Sequence, residues 1–449
     1  MRPESPENHT DMFAYYFQLG LRSLRRNPVL TALMVMAIGF GVAASMITYS
    51  VFRAVSGNPI PAKSERLFTP QIDSWGPQQN IQGEPPYALN YVDAMALMRA
   101  HRALRQTLLY PLWLSVSPEG GRSLPVGANG YAAYGDFFPM FEVPFRYGAP
   151  WSAADDAHHA AIVVLSEALN QHLFGGADSV GREIVLGGHA YRVVGVAGHW
   201  DPKPRFFAVW GGSNGFQRDP ADFYLPFTRA IDLKLDTAGN NSCRGKPDFS
   251  GWEGWLRSNC VWITPWVELE GEAEAARYRG FLESYAADQQ RAGRFAWAPN
   301  VRLRDVMQWL DYLQVVPPES RIALVVALGF FVICLVNTVG LLLAKFMRRA
   351  GEIGVRRALG APRRQIYAQY LVEAASVGLA GGVLGLLLTA LGIGGVGVLF
   401  KPQIARLAQL DFPLVGLCLA VAVLATLLAA FYPAWRAAQV QPAWQLKSH

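Results

Sequence analysis

Residues 322–344, IALVVALGFFVICLVNTVGLLLA, run for 23 positions without a charge. The chain then turns abruptly basic over residues 345–364, KFMRRAGEIGVRRALGAPRR. An apolar run of about 20 residues is what a helix needs to cross the hydrocarbon core of a bilayer. Three further stretches qualify: Val29–Ile47, polar only at Thr31 and Ser45; Tyr367–Phe400, whose sole charge is Glu373; and Phe412–Trp435, which has none. Four membrane helices is the direct reading. A signal peptide is the weaker reading of the first run, because the run is too long for the apolar part of a leader and a second basic-flanked span follows.

Composition agrees. The chain is 51% hydrophobic and 16% charged, against about a quarter charged for a soluble domain. Lys and Arg placement sets the orientation. Arg22, Arg25 and Arg26 precede the first span. Lys345, Arg348, Arg349, Arg356, Arg357, Arg363 and Arg364 lie between the second and third, and only Lys401 and Arg406 between the third and fourth. Both termini and the 345–364 stretch therefore face the cytoplasm, and Gly57–Ser320 lies outside. That outer segment holds 23 Lys and Arg against 28 Asp and Glu, and the remainder 17 against 6. The net +6 is thus a topology signal and not one basic surface, which excludes nucleic acid as a partner class.

The fold expected is an α-helical membrane protein of four transmembrane helices, with a large mixed α+β periplasmic domain inserted between helices 1 and 2. Its segments are 1–28, with an amphipathic helix over 12–26 lying on the inner leaflet; spans at 29–56, 321–346, 366–400 and 412–435; the outer domain 57–320; a cytoplasmic loop 347–365; a short outer loop 401–411; and a tail 436–449. Within the outer domain, Ile162–Gly176 reads as a strand followed by a helix capped by Ser166 and stopped at Gly175-Gly176. Glu183–Gly198 reads as a hairpin turning at Gly187-Gly188. Leu89–Arg105 and Glu270–Arg291 read as helices. Eleven of the thirteen tryptophans fall in this domain, ample for a core. Residues 200–259 are the least readable.

Cys334 and Cys418 lie inside spans, where a thiol acts as a small apolar group. Cys243 and Cys260 lie outside, where a disulfide closing a loop of about 18 residues is expected and would contribute ~3 kcal/mol; two free thiols are the alternative. In the third span, Gly378/Gly382 and Gly381/Gly385 are small-xxx-small pairs suited to close helix packing, within the chain or across a dimer.

Several pattern matches lack their structural context. GIGGVG, 392–397, sits inside a membrane span with no strand before it, and GGSNG, 211–215, is followed by Phe-Gln-Arg-Asp-Pro where a hydrolase elbow needs a helix. His158-His159 reads as a solvated turn. The sequence contains no GxxxxGK[ST], HExxH or CxxC, so no cofactor is expected on this chain and it has no P-loop with which to hydrolyse ATP.

The run EIGVRRALGAPRRQIYAQYLVEAASVGLAGGVLGLLL resembles the core of FtsX-like permease domains, the membrane subunits of MacB-type ABC transporters. The closing YPAWRAAQVQPAWQL and the opening LRSLRRNPVLTALMVMAIGFGVA are similar to that family's ends. MFEVPFRYGAPWSAADDAHHAAIVVLSEALNQHLFGGADSVGREIVLGGHAYRVVGVAG resembles its periplasmic core domain, leaving about 200–260 as lineage-specific. The resemblance implies a non-catalytic permease subunit in a bacterial inner membrane, acting by mechanotransmission. A separate ATPase subunit, which many relatives carry fused ahead of the first span, would hold the ATP and Mg. A second permease chain, as homodimer or paralogue heterodimer, and membrane lipid are implied partners; a periplasmic adaptor and an outer-membrane channel are admitted. Export of a periplasmic substrate is the leading function. Lipoprotein extraction, or FtsX-like signalling to a cell-envelope partner, is the alternative. A membrane enzyme is disfavoured, since no nucleophile–base set or metal-ligand spacing is present.

On this reading the ATPase-coupling residues are Glu352, Ile353, Arg356, Arg357, Leu359, Gly360, Arg363 and Arg364. Glu352 and Arg356 form an i,i+4 pair in the favourable order. Gly360 ends the short helix, Ala361-Pro362 turns the chain, and Pro362 opens the third span. Positive-inside anchoring alone would explain the charge but not this helix–turn–helix design.

Overall fold

The computed structural model describes residues 27–118, 125–208, 215, 220–239, 241–244, 251–316, 318–399 and 411–439. The amphipathic stretch 12–26, most of GGSNG, the loop before Asp411 and the tail beyond Gln439 lie outside the described residues. The chain forms two compact units, Gly57–Val315 and, from both ends, Met1–Ser56 with Val316–His449.

The outer unit is built on one sheet of β1 (Leu67–Ile72), β2 (Arg105–Pro118), β3 (Val126–Ala133), β4 (Phe145–Gly148), β5 (Ile162–Ser166), β6 (Glu183–Leu186), β7 (His189–Ala197), β8 (Phe223–Pro226), β9 (Thr264–Glu268) and β10 (Val301–Asp305). The order is β10-β1-β9-β2-β3-β8-β5-β7-β4, and β6 pairs with both β2 and β7. Strands β2, β3, β8, β5, β7 and β6 therefore close a hydrogen-bonded ring. Leu112, Val116, Val163, Ile184, Val193 and Phe223 from these strands are buried in the main core. A closed circuit leaves those six strands without a free long edge, which protects them from pairing with other chains.

Local chemistry places the elements. Ser166 Oγ accepts the Leu169 N–H at 3.1 Å and opens the helix Glu167–Phe174, which Gly175 ends at φ 64°. Gly187 and Gly188 both have positive φ, as the two-residue turn matching strand twist requires. The expected helix over Leu89–Arg105 is shorter, running Tyr91–Ala100 with Asn90 as its cap and ending at His101 in the left-handed region. Arg105 instead begins β2, where its guanidinium meets Glu268 on β9 at 2.9 Å. The apolar run after it is claimed by sheet pairing with β9 and β3. The second helix runs Glu272–Arg291.

A disulfide joins Cys243 to Cys260 with their Cα atoms 4.2 Å apart. The neighbouring Ser242 and Val261 exchange two backbone hydrogen bonds of 3.0 and 2.9 Å. The segment 200–260 also supplies β8, which sits in the middle of the sheet between β3 and β5. His159 pairs with Asp232.

Asp156 is 5% exposed and accepts from the Gly135 N–H at 2.8 Å and the Trp151 indole N–H at 3.0 Å. Burial raises its carboxyl pKa to about 6, against ~3.9 in an unfolded chain. Between those values the folded state holds more protons, so stability from this group falls as pH rises and levels off above about 6. Comparing melting curves of the wild type with Asp156→Asn should isolate it. Their stability difference should shrink by on the order of 2 kcal/mol from pH 4 to pH 7, and a pH-independent difference would contradict the assignment.

The membrane unit contains α1 (Pro28–Ser56), α2 (Pro318–Met347), α3 (Ala350–Ala358), α4 (Arg363–Leu399) and α5 (Phe412–Ala438). The four long helices can each span a bilayer by length and composition. Both α2 and α4 pack on α1 and on α5. Residues such as Val325, Ile333, Leu387 and Leu428 are exposed, as helices bathed in hydrocarbon should be. Arg53 and Asp411, 3.0 Å apart, link α1 to α5 at the ends that the charge rule assigns to the outside. Tyr432 and Trp435 lie at the opposite end of α5, half exposed, suiting an interfacial aromatic belt.

The glycine pairs of α4 serve two different neighbours in the same chain. A Cβ on Gly381 would approach Ile38 to 2.7 Å and one on Gly385 would approach Val42 to 3.1 Å, both on α1. On the α5 side, Gly378 would meet Thr426 at 2.8 Å and Gly382 would meet Ala422 at 2.9 Å. Gly381→Ala should therefore cost about 1–3 kcal/mol through overpacking, read as a lowered melting temperature in nanodiscs. Gly394→Ala, where a Cβ meets nothing within 4 Å, is the control and should leave it within error.

Candidate coupling site

The short helix α3 presents two contrasting faces. Ala350, Ile353 and Gly354 are buried, and Ile353 shares a core cluster with Phe346, Ile366, Tyr370 and Ala437 from α2, α4 and α5. Polar ties reinforce this seating. Arg356 Nη1 donates to Gln369 Oε1 on α4 at 2.9 Å, and Arg357 Nη1 donates to the carbonyl of Ala438 at the end of α5 at 3.3 Å.

The exit from α3 is tightly specified. Gly360 has φ 97°, its N–H donates to the Arg357 carbonyl at 3.1 Å, and the Ala361 N–H reaches back to the Arg356 carbonyl at 3.0 Å. This pair of bonds is a Schellman cap, which needs a residue tolerant of positive φ after the last turn. Only Ala361 and Pro362 then separate the cap from Arg363, the first residue of α4. Arg363 and Arg364 thus belong to the first turn of the third span and not to the loop. The joint is two residues long and its cap is hydrogen-bonded, so α3 and α4 are closely tied.

The outward face carries Glu352, Val355, Arg356 and Leu359, with Arg363 and Arg364 exposed beyond the joint. Val355 is 57% and Leu359 82% exposed. At i,i+4 they form an apolar pair among cations. Arg356 and Arg357 suit the C-terminal end of α3, whose dipole favours positive charge, whereas two arginines in the first turn of α4 oppose its dipole. Helix stability therefore does not account for Arg363 and Arg364; an anionic or acidic contact outside the helix would.

Behind the helix lies a group of charges inside the membrane unit. Glu373 on α4 is 2% exposed and Lys345 on α2 is fully buried. Lys345 Nζ lies 2.8 Å from one Glu373 oxygen and Arg349 Nη1 3.2 Å from the other. Lys345 also reaches Thr31 on α1 at 3.5 Å. The cluster ties α1, α2 and α4 together, and Arg349 is the residue immediately before α3.

Of the residues assigned to coupling from sequence, Glu352, Arg356, Leu359, Arg363 and Arg364 are exposed at this site, and Gly360 shapes its exit. Ile353 faces inward and Arg357 is half-buried against Ala438, so these two seat the helix rather than present it. Val355 was not singled out by sequence reasoning, although its i,i+4 relation to Leu359 was available. Lys345 and Arg349 read as topology markers; the signal that they are partners is Glu373, because a lone acid in an apolar span calls for a buried counter-charge.

Residues 31–249 match the MacB-like periplasmic core domain and residues 324–442 the FtsX-like permease C-terminal domain. The macrolide export ATP-binding/permease protein MacB of Salmonella typhimurium is 25% identical over 375 residues, which cover 82% of this chain and 51% of that protein. The protein of the same description from Pasteurella multocida is 23% identical over 438 residues, covering 95% and 59%. The chain spans about half the length of the curated relatives it matches. The solved periplasmic region of MacB from Actinobacillus actinomycetemcomitans aligns at a TM-score of 0.35 and 12% identity, over 55% of this chain and 92% of that one.

Proposed function

Because the chain belongs to the FtsX/MacB-type permeases and carries a MacB-like periplasmic core domain between its first and second spans, we propose that it is the transmembrane subunit of an ABC exporter driven by mechanotransmission. An ABC ATPase outside these 449 residues would bind ATP and Mg and dock on α3. Its closure would push α3, and through the two-residue joint α4, to move the periplasmic domain and expel a periplasmic substrate. A second permease chain would complete the complex in the bacterial inner membrane, with a periplasmic adaptor and outer-membrane channel as onward partners.

The observation that carries this reading is the outward face of α3. An exposed apolar pair, Val355 and Leu359, is rimmed by Arg356, Arg363 and Arg364. This is the make-up of a protein contact with an apolar anchor and charged edge, and lipid headgroups would call for the arginines alone. The relatives' description as ATP-binding/permease proteins supports an ATPase as the occupant.

The test uses the full chain in nanodiscs, reconstituted with an ABC ATPase captured on it from native membranes. Val355→Glu together with Leu359→Glu should cut permease-dependent ATP turnover at least tenfold and release the ATPase on size exclusion. Because both positions are exposed, the melting temperature should hold. Full turnover in this double variant would remove the assignment of α3 as the coupling element.

A further inference from the structure

The strand ring of the outer domain carries a cavity of about 530 Å³ on its outward face, within the range of small-molecule sites. Trp113 on β2 stands directly across from Asn129 on β3, and opposed residues of paired strands share a face of the sheet. Their neighbours Leu112 and Ala128 point the other way, into the main core. Trp113 and Asn129 therefore face the cavity that they line.

The aromatic walls are preset. Trp113 is 62% exposed, and a Cβ on Gly127 would come within 2.8 Å of its ring. Gly127 thus lets the indole lie against the β3 backbone while most of the ring stays open. A second indole, Trp200, lines the same cavity and is held by stacking on Phe207, with ring centroids 5.1 Å apart and planes 22° apart.

The charges of the cavity are already matched. Glu167 pairs with Arg146, and Asp201 lies 3.0 Å from Lys203 and 2.7 Å from Arg205. The third carboxylate, Asp222, accepts the Asn129 backbone N–H at 2.9 Å. Three carboxylates thus stand with three cations, and neither sign of ligand charge is favoured. The half-buried side-chain amide of Asn129 makes no hydrogen bond among the described residues. It offers a donor and an acceptor from one planar group. An extended peptide would be held by a free strand edge, but β2, β3 and β8 are each paired on both sides here. An open aromatic face beside a neutral donor–acceptor group instead suits a ring with an apolar C–H face and hydroxyls around its rim.

We propose that this cavity binds a neutral saccharide, with the C–H face of one pyranose ring on Trp113 and neighbouring hydroxyls on the Asn129 amide. No bond is made or broken. The site lies wholly within the outer domain, and the inference does not draw on the coupling role of α3, so either can fail alone.

The test needs no ATPase. The full chain, in nanodiscs assembled without glycoside detergent, is titrated with cellobiose, diacetylchitobiose and trialanine by saturation-transfer NMR, with empty nanodiscs subtracted. At least one disaccharide should bind saturably below about 20 mM, within reach of a weak site, with saturation strongest at the axial protons of one ring face. Trp113→Ala should weaken it at least tenfold at an unchanged melting temperature, since the side chain is exposed, and Trp113→Phe should retain part of the binding. Asn129→Ala should weaken it several-fold, and it carries the test if the Trp113 variants fail to fold. Absence of saturable binding by both disaccharides would overturn the proposal, as would binding unaltered by Trp113→Ala and Asn129→Ala. Trialanine binding as tightly as either disaccharide would also overturn it, by assigning the cavity to peptides.

Discussion

Replacing Glu373 by alanine is expected to destabilise the membrane unit by about 3–5 kcal/mol, the cost of stranding a buried charge. Lys345 is fully buried and its amine lies 2.8 Å from the carboxylate that would be lost; Arg349 would lose its contact with that carboxylate as well. Lys345 cannot be rehydrated without opening the packing between α1, α2 and α4, whereas Arg349 is partly exposed. The loss should appear as a lower midpoint in denaturant titrations of the full chain in mixed micelles. Glu373→Gln, which keeps an acceptor but not the charge, should fall between. The triple variant Lys345→Met, Arg349→Met, Glu373→Leu should recover most of the loss, because an apolar set of similar volume removes the desolvation cost of all three charges. A triple variant as unstable as Glu373→Ala would show that packing around residue 373, and not the charges, dominates.

The second large effect lies in the outer domain. Cutting the disulfide with Cys243→Ser and Cys260→Ser should lower stability by about 3 kcal/mol, the chain entropy returned to the unfolded state by a loop of this size. The bridge spans 17 positions in sequence and anchors the segment that leads into Val261, Trp262 and Ile263, all fully buried. Wild-type protein should show the same shift on adding reductant, and the double variant none. A melting temperature insensitive to reductant would mean that the backbone bridge between Ser242 and Val261 holds the segment unaided.

The four spans were legible because a bilayer imposes length and the absence of charge on a sequence directly. The Glu183–Ala197 hairpin and the Ser166-capped helix were legible because glycines at positive φ and a serine cap act over a few residues. β8 was not: FYLP is four residues long, preceded by Asp222 and itself ending in Pro226 within a loop-rich region, and it is a strand because β3 and β5 flank it on either side. The overlong reading of Leu89–Arg105 failed similarly, since pairing with β9 and β3 decides where the chain becomes β2. At the coupling site, the Gly360-Ala361-Pro362 exit could be read from residue chemistry. The inward turn of Lys345 and Arg349 could not be read from charge counting, which treats every cation near a span as facing water or headgroups. The cavity gathers residues from separated segments and leaves no periodic trace.

Helix α4 has 37 residues, and at 1.5 Å each it is about 55 Å long, far more than the ~30 Å of hydrocarbon. Four glycines, Gly378, Gly381, Gly382 and Gly385, let α1 and α5 approach its middle closely, while Ile366, Tyr370, Ala374 and Val377 fasten its first half into the membrane core. Near its cytoplasmic end Glu373 is held by Lys345 of α2 and by Arg349 just ahead of α3. The third span is therefore bolted by charge near one end and seated by backbone contact along its middle. The bolt, two ion pairs to one carboxylate, lies next to α3, so loss of Glu373 would loosen the joined ends of α2, α3 and α4 together.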